Sequence, residues 1–220
     1  METSRISLIP PEAVHPRGGR IPLERATRWW SPYEANGYDQ AVTVFISPRA
    51  FVRVCAHAGS DLDNEVGGWL IGKWRADRAS GEQFIVIESS LPARETRQGS
   101  AYLTFTQNSQ VALYNEVQER YPDKDVVGWY HTHPRMGIFL SEFDTFLHRN
   151  FFPELHQVAL VIEPHSASGG FFIRRRDGAL DSRRYYGFYE LNNGRKRSVV
   201  HWRNLLSDAE RMSVIGGQKL

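Results

Sequence analysis

The sequence predicts an α/β domain: a mixed β-sheet with helices on its faces. Three observations carry that reading. Segments rich in β-branched residues alternate with segments of helical periodicity through most of the chain. Strand-like segments then follow one another directly toward the C-terminal end. One of them, "QVALVIEP" at 157–164, is apolar almost without a break, as a central strand should be.

Taken in order, "AVTVFIS" (41–47) has the β-branched content of a strand. Pro48 fits the first turn of a helix. Phe51, Val54, Cys55 and Ala58 follow at spacings of three and four, and Gly59 stands where that helix should stop. "EVGGWLIGKW" (65–74) and "FIVIESS" (84–90) read as strands. Residues 91–100 read as a mobile polar loop and "AYLTFT" (101–106) as another strand. A helix is expected over about 107–120, with Val111, Tyr114 and Val117 on one side. "DVVGWYH" (125–131) is a strand ending at histidines, and a short helix opens near Ser141. "GGFFIRRR" and "SRRYYGFYEL" flank Asp177-Gly178, a hairpin-turn signal.

The 220 residues suffice for one domain with decorated ends. The expected division is an irregular Pro-rich arm over 1–37, a main domain over 38–190 and a basic tail over 191–220. Trp29, Trp30 and Tyr33 should tie the arm to the domain. With 27 basic and 25 acidic residues, the balance neither argues for nucleic acid nor excludes it; nucleic acid is not expected, because no recognised binding motif accompanies the charge. Residues 171–203 hold nine Arg or Lys against three acids. A solvated face is the ordinary reading, docking of an acidic partner the sharper one. Cys55 is the only cysteine, so an internal disulfide and a thiolate metal cluster are both excluded. No signal-peptide core and no apolar run of membrane-spanning length is visible, which makes the cytoplasm the expected location.

The chemistry concentrates in "GWYHTHPRMGIFLSEFD" (128–144). Residues two apart on a strand point to one side, so His131 and His133 can converge on one metal while Thr132 points away. Gly137 allows a tight turn. A helix starting at Ser141 then places Asp144 in its first turn, facing back. "SEFD" is also a capping box, and the two roles are compatible. Two imidazoles and a carboxylate suit zinc with an open fourth position. For a general base, composition alone does not choose among Glu142, Glu65, Glu88 and Glu154.

His-x-His-x(7)-Ser-x-x-Asp, present as His131, His133, Ser141 and Asp144, resembles the signature of the JAMM metalloproteases, also called the JAB or Mov34/PAD-1 family. "EVGGWLIG" resembles the family's glutamate-bearing strand and singles out Glu65. The resemblance covers roughly 41–177. It implies a cytidine-deaminase-like fold with a curved mixed sheet between helices. It implies one Zn2+ held by His131, His133 and Asp144, with Glu65 as general acid/base and Ser141 stabilising the tetrahedral intermediate. The implied reaction is hydrolysis after the C-terminal Gly-Gly of a ubiquitin-like protein or its conjugate, with E1- and E2-like proteins as possible pathway partners. The short segment 145–156 resembles the compact prokaryotic members. A non-catalytic scaffold of the same family is the alternative.

Other residues are expected to be structural. His148, His156 and His165 read as surface residues or supports of the site. Trp129 and Tyr130 should pack beneath or beside it, and Phe139 is the best candidate to line a groove. Cys55, on an apolar helix face, reads as inert packing. A nucleobase deaminase would need a Pro-Cys-x-x-Cys segment that one cysteine cannot supply.

Overall fold

The structure is a computed structural model that describes residues 15–34, 39–93, 107–192 and 197–217. The strands are β1 (Arg17–Gly19), β2 (Ala26–Trp30), β3 (Thr43–Ile46), β4 (Gly67–Asp77), β5 (Gln83–Pro92), β6 (Asp125–Thr132), β7 (Val158–Glu163), β8 (Ser168–Phe172), β9 (Phe188–Leu191) and β10 (Leu206–Ser207). The helices are α1 (Pro48–Ala58), α2 (Gln107–Arg120), α3 (Glu142–Phe151) and α4 (Asp208–Gly217).

Among the described residues the strands form one sheet in the order β10-β2-β9-β3-β5-β4-β6-β7-β8, with β1 pairing β4 from the side. Pairing is mixed: β3–β5 and β6–β7 are parallel, β4–β5, β4–β6 and β7–β8 antiparallel. Bridges Gln40–Arg175 and Phe171–Tyr186 bring the β8 end back against the region around β3 and β9, so the sheet curls into a half-barrel. Successive β6 residues show how the helices flank it. Tyr130 hydroxyl meets His57 of α1 at 2.8 Å, whereas the Trp129 indole N–H reaches His148 of α3 at 3.1 Å. Neighbouring side chains on a strand point to opposite faces, so α1 and α3 lie on opposite sides of β6.

Local sequence explains the helices that position the site. Ser47 caps α1 by accepting the Ala50 N–H, Pro48 takes the first position, and Phe51, Val54 and Ala58 are buried. Val117 of α2 is buried, but Tyr114 turns outward, so the expected apolar face of that helix is narrower than its spacing suggested. Gly68 on β4 is required: a Cβ there would stand 2.3 Å from the Leu91 carbonyl oxygen and 3.0 Å from the Tyr130 ring.

Several expectations are corrected. The arm is not irregular over 17–30, because β2 joins the sheet between β9 and β10. Trp29 is buried with its indole N–H on Glu190, and Tyr33 packs edge-on against Tyr185. The C-terminal segment is not simply a basic tail: Trp202 and Leu205 enter the core, β10 pairs β2, and α4 follows. A turn does form at Asp177-Gly178, and one antiparallel bridge, Phe171–Tyr186, joins the segments on either side of it, but their regular strands pair elsewhere: β8 with β7, and β9 with β2 and β3. Arg174, inside the basic run, is buried rather than solvated. Its guanidinium donates to the carbonyls of His148, Phe152, Glu154 and Gln157, clamping the C-terminal end of α3. The polar-loop and strand expectations over 94–106 lie outside the described residues.

Candidate metal centre

His131 and His133 project from the end of β6 and just beyond it. β4 and β7 flank that strand, pairing Gly67 with His131 and His131 with Val161. Both imidazoles are buried. Their Nε2 atoms stand 2.9 Å apart. After the turn at 134–137, where Gly137 has φ +86°, Ser141 starts α3 with both halves of a capping box. Ser141 N–H donates to Asp144 Oδ2 at 2.7 Å, and Asp144 N–H donates to Ser141 Oγ at 3.1 Å. The box aims the carboxylate: Asp144 Oδ1 lies 3.3 Å from His131 Nε2, and Oδ2 lies 3.5 Å from His133 Nε2.

These three residues form a group able to hold a metal ion. Their chemistry and spacing fit zinc. Bonds of about 2.0–2.1 Å in a tetrahedron place ligand atoms about 3.3 Å from one another, against the 2.9, 3.3 and 3.5 Å found here. Buried imidazole nitrogens facing one another also need a shared proton or a shared cation. Burial holds the His131 pKa below its ordinary value, with Asp144 opposing, so the lone pair stays free for a metal. Burial alone would raise Asp144, but hydrogen bonding from His131 and His133 more than offsets it and keeps the carboxyl well below the usual carboxylate range.

Among the four glutamates left open by composition, the structure brings Glu65 to the cluster. Its Oε1 is 3.9 Å from His133 Nε2. Burial, more than the opposing pull of His133, pushes its pKa up to about 7. Glu88 instead pairs with Lys73 and Lys124, and Glu142 and Glu154 are exposed.

Around the cluster, Trp129 stacks on His131 with ring centroids 4.6 Å apart, and Phe139 packs 4.8 Å from His133. A cavity of about 650 Å³ opens beside Ser141, lined in part by Phe139, Leu140, Phe146 and Arg183. Sequence reading missed the link from His148 to Trp129. Its signal was the spacing: His148 is four residues past Asp144, on the same helix face. His148 and His156 are buried, not surface residues. His165 bonds the Leu62 carbonyl, in the loop leading to Glu65. Burial pushes the Cys55 thiol up to about 12, which favours the protonated, unreactive form at neutral pH.

A curled mixed sheet that presents two strand-end imidazoles to one helix-borne carboxylate defines an α/β domain with a candidate metal site. The chain belongs to the JAB1/Mov34/MPN/PAD-1 ubiquitin protease family, whose model matches residues 39–153. It is 25% identical over 186 residues to the 26S proteasome regulatory subunit RPN11 of Candida glabrata, covering 84% of this chain and 57% of that one. It is 25% identical over 181 residues to the ubiquitin carboxyl-terminal hydrolase RPN11 of Saccharomyces cerevisiae, covering 81% of this chain and 56% of that one. The chain therefore spans little more than half the length of these relatives. A solution structure of a Desulfitobacterium hafniense protein aligns at 21% identity with a TM-score of 0.46, over 64% of this chain and 92% of that one. Among the described residues no helix is long and apolar enough to cross a membrane.

Proposed function

We propose that this protein is a zinc-dependent isopeptidase or peptidase that hydrolyses the bond after the C-terminal Gly-Gly of a ubiquitin-like protein. The observation that carries the reading is the convergence of His131, His133 and Asp144, with a carboxyl of raised pKa beside them. His131, His133 and Asp144 hold one Zn2+, which supplies Lewis acidity toward the scissile carbonyl and brings the pKa of water toward about 7.

Glu65 does the proton work. A pKa of about 7 suits a group that must take a proton and return it in one cycle. It removes the proton from the attacking water and delivers it to the leaving amine. Ser141 Oγ already accepts the Asp144 N–H, so its own hydroxyl hydrogen is available to donate to the carbonyl oxygen as charge builds there. The membership of the family and its RPN11 relatives support ubiquitin-like conjugates as the substrate class. A cytoplasmic setting beside E1- and E2-like proteins belongs to the same proposal.

Metal analysis of the purified protein should give one zinc per chain. Incubation with Gly-Gly-linked conjugates and fusions should give cleavage immediately after the second glycine. Glu65→Gln should keep the zinc and lose about 10²–10⁴-fold in kcat. Stoichiometric zinc with no cleavage across such a panel would assign the chain to non-catalytic scaffolding.

A further inference from the structure

We propose that Thr132, the residue between the two histidines, is a positioning residue that sets where the Glu65 carboxylate stands. This rests on the reading of Glu65 as the general base. His131 and His133 take one face of the β6 end, which leaves Thr132 on the other. There it is fully buried, and a buried hydroxyl needs a partner.

The partner is the backbone of Val66. Thr132 Oγ1 accepts the Val66 N–H at 2.9 Å, and the Thr132 N–H donates to the Val66 carbonyl at 2.8 Å. Thr132 thereby holds both polar backbone groups of the residue next to Glu65. In an antiparallel ladder, two facing residues exchange both bonds through their main chains. Here a side-chain oxygen makes one of the two, just past the last regular pair of these strands, Gly67 with His131. Before Glu65 the chain is a loop. It is tied to the rest of the fold by an exposed Asp63–Arg135 ion pair and by the Leu62 carbonyl on His165. Exposed pairs of that kind contribute little. The Val66 clamp is thus the rigid reference from which the Glu65 side chain reaches the cluster. The same residue also separates the two histidines by the single position that strand geometry demands. One residue therefore serves both parts: its backbone spaces the imidazoles, and its side chain helps to place the base.

The chemistry makes the clamp sensitive. A base displaced by about 1 Å can cost about 100-fold in rate. Thr132→Val keeps shape and strand preference but removes the acceptor; Thr132→Ser keeps the acceptor. Three readouts separate the possibilities: zinc per chain, exchange of the Val66 amide hydrogen, and kcat and KM on a ubiquitin C-terminal fluorogenic amide. Thr132→Val should retain one zinc, expose the Val66 amide to faster exchange, and lose about 10- to 100-fold in kcat with KM little changed. Thr132→Ser should recover most of that loss. Thr132→Ala gives the same test should the valine variant not fold. The inference is overturned if Thr132→Val turns over like wild type, protects Val66 equally, or loses its zinc. It is also overturned if Thr132→Ser is as impaired as Thr132→Val. Wild-type protein that binds zinc and cleaves nothing overturns the hydrolase reading, and this one with it. An active wild type with an equally active valine variant overturns only this one.

Discussion

At the N-terminal end of α3, His131 and His133 face the carboxylate of Asp144; toward its C-terminal end, His148 and His156 lie within the electrostatic reach of the Arg174 guanidinium. Both pairs are buried. In the first, the nitrogens converge to 2.9 Å with an anion beside them. In the second, His148 accepts the Trp129 indole N–H, and His156 lies flat on Trp74 with centroids 3.8 Å apart. Their neighbour carries a positive charge, which disfavours both protonation and a cation. Histidine content is the same; convergence of the nitrogens and the sign of the adjacent charge both single out the first pair as the one placed to hold a metal. The two ends are also joined mechanically. Arg174 ties the end of α3, through the His148 and Phe152 carbonyls, to the segment that follows, through those of Glu154 and Gln157, so the helix that aims Asp144 is anchored by the non-metal pair's own neighbour.

The largest expected effect breaks the first pair. Asp144→Asn keeps the shape and removes the anion. Zinc should fall from one per chain to near zero, and cleavage should vanish with it. His156→Phe should keep one zinc. Equal metal loss in both variants would mean that the two pairs are not distinguished by charge. A smaller effect follows at the helix start. Ser141→Ala should retain metal, cost about 1 kcal/mol of stability as a lost cap, and lower kcat by about 10²-fold as a lost donor to the developing oxyanion. Denaturant melts and steady-state kinetics on the same preparation separate the two losses. An unchanged kcat would leave Ser141 as a cap alone.

What the sequence revealed follows the range of the interactions involved. The histidine pair and the Ser141–Asp144 cap are local patterns, with spacings of two and three that strand and helix geometry translate directly into faces. Glu65 is different. Its place depends on the β4–β6 register, set 66 residues downstream by pairs such as Gly67 with His131. Composition therefore left four glutamates, and only the family resemblance selected one. The strand β2 was hidden for a related reason. Its five residues sit between Pro22 and Pro32, and its partners β9 and β10 come from the far end of the chain. Local punctuation said arm; the long-range pairing made it sheet. Arg174 was misread because charge runs are usually solvated, and nothing within the run shows that one guanidinium meets a helix end.

The smallest effect sharpens the comparison through pH. Burial first, and the Arg174 charge second, lower the His156 pKa to about 4 from an ordinary 6.5. Between those values the unfolded chain binds a proton that the folded chain refuses. Stability therefore falls as pH drops from about 6.5 to about 4 and levels off below, because both states are then protonated. Each pKa unit is worth about 1.4 kcal/mol, so the full contribution is on the order of 3 kcal/mol. His156→Phe keeps the flat stack on Trp74 and removes the titration. Urea midpoints measured at several pH values should show the variant gaining on wild type as pH falls through that window. His148, lowered to about 3 by burial and the same arginine, still titrates in the variant, so a residual slope should remain. Parallel midpoints for the two proteins from pH 7 to pH 4 would show that His156 is not held neutral by its surroundings, and the charge contrast between the two ends of α3 would then rest on His148 alone.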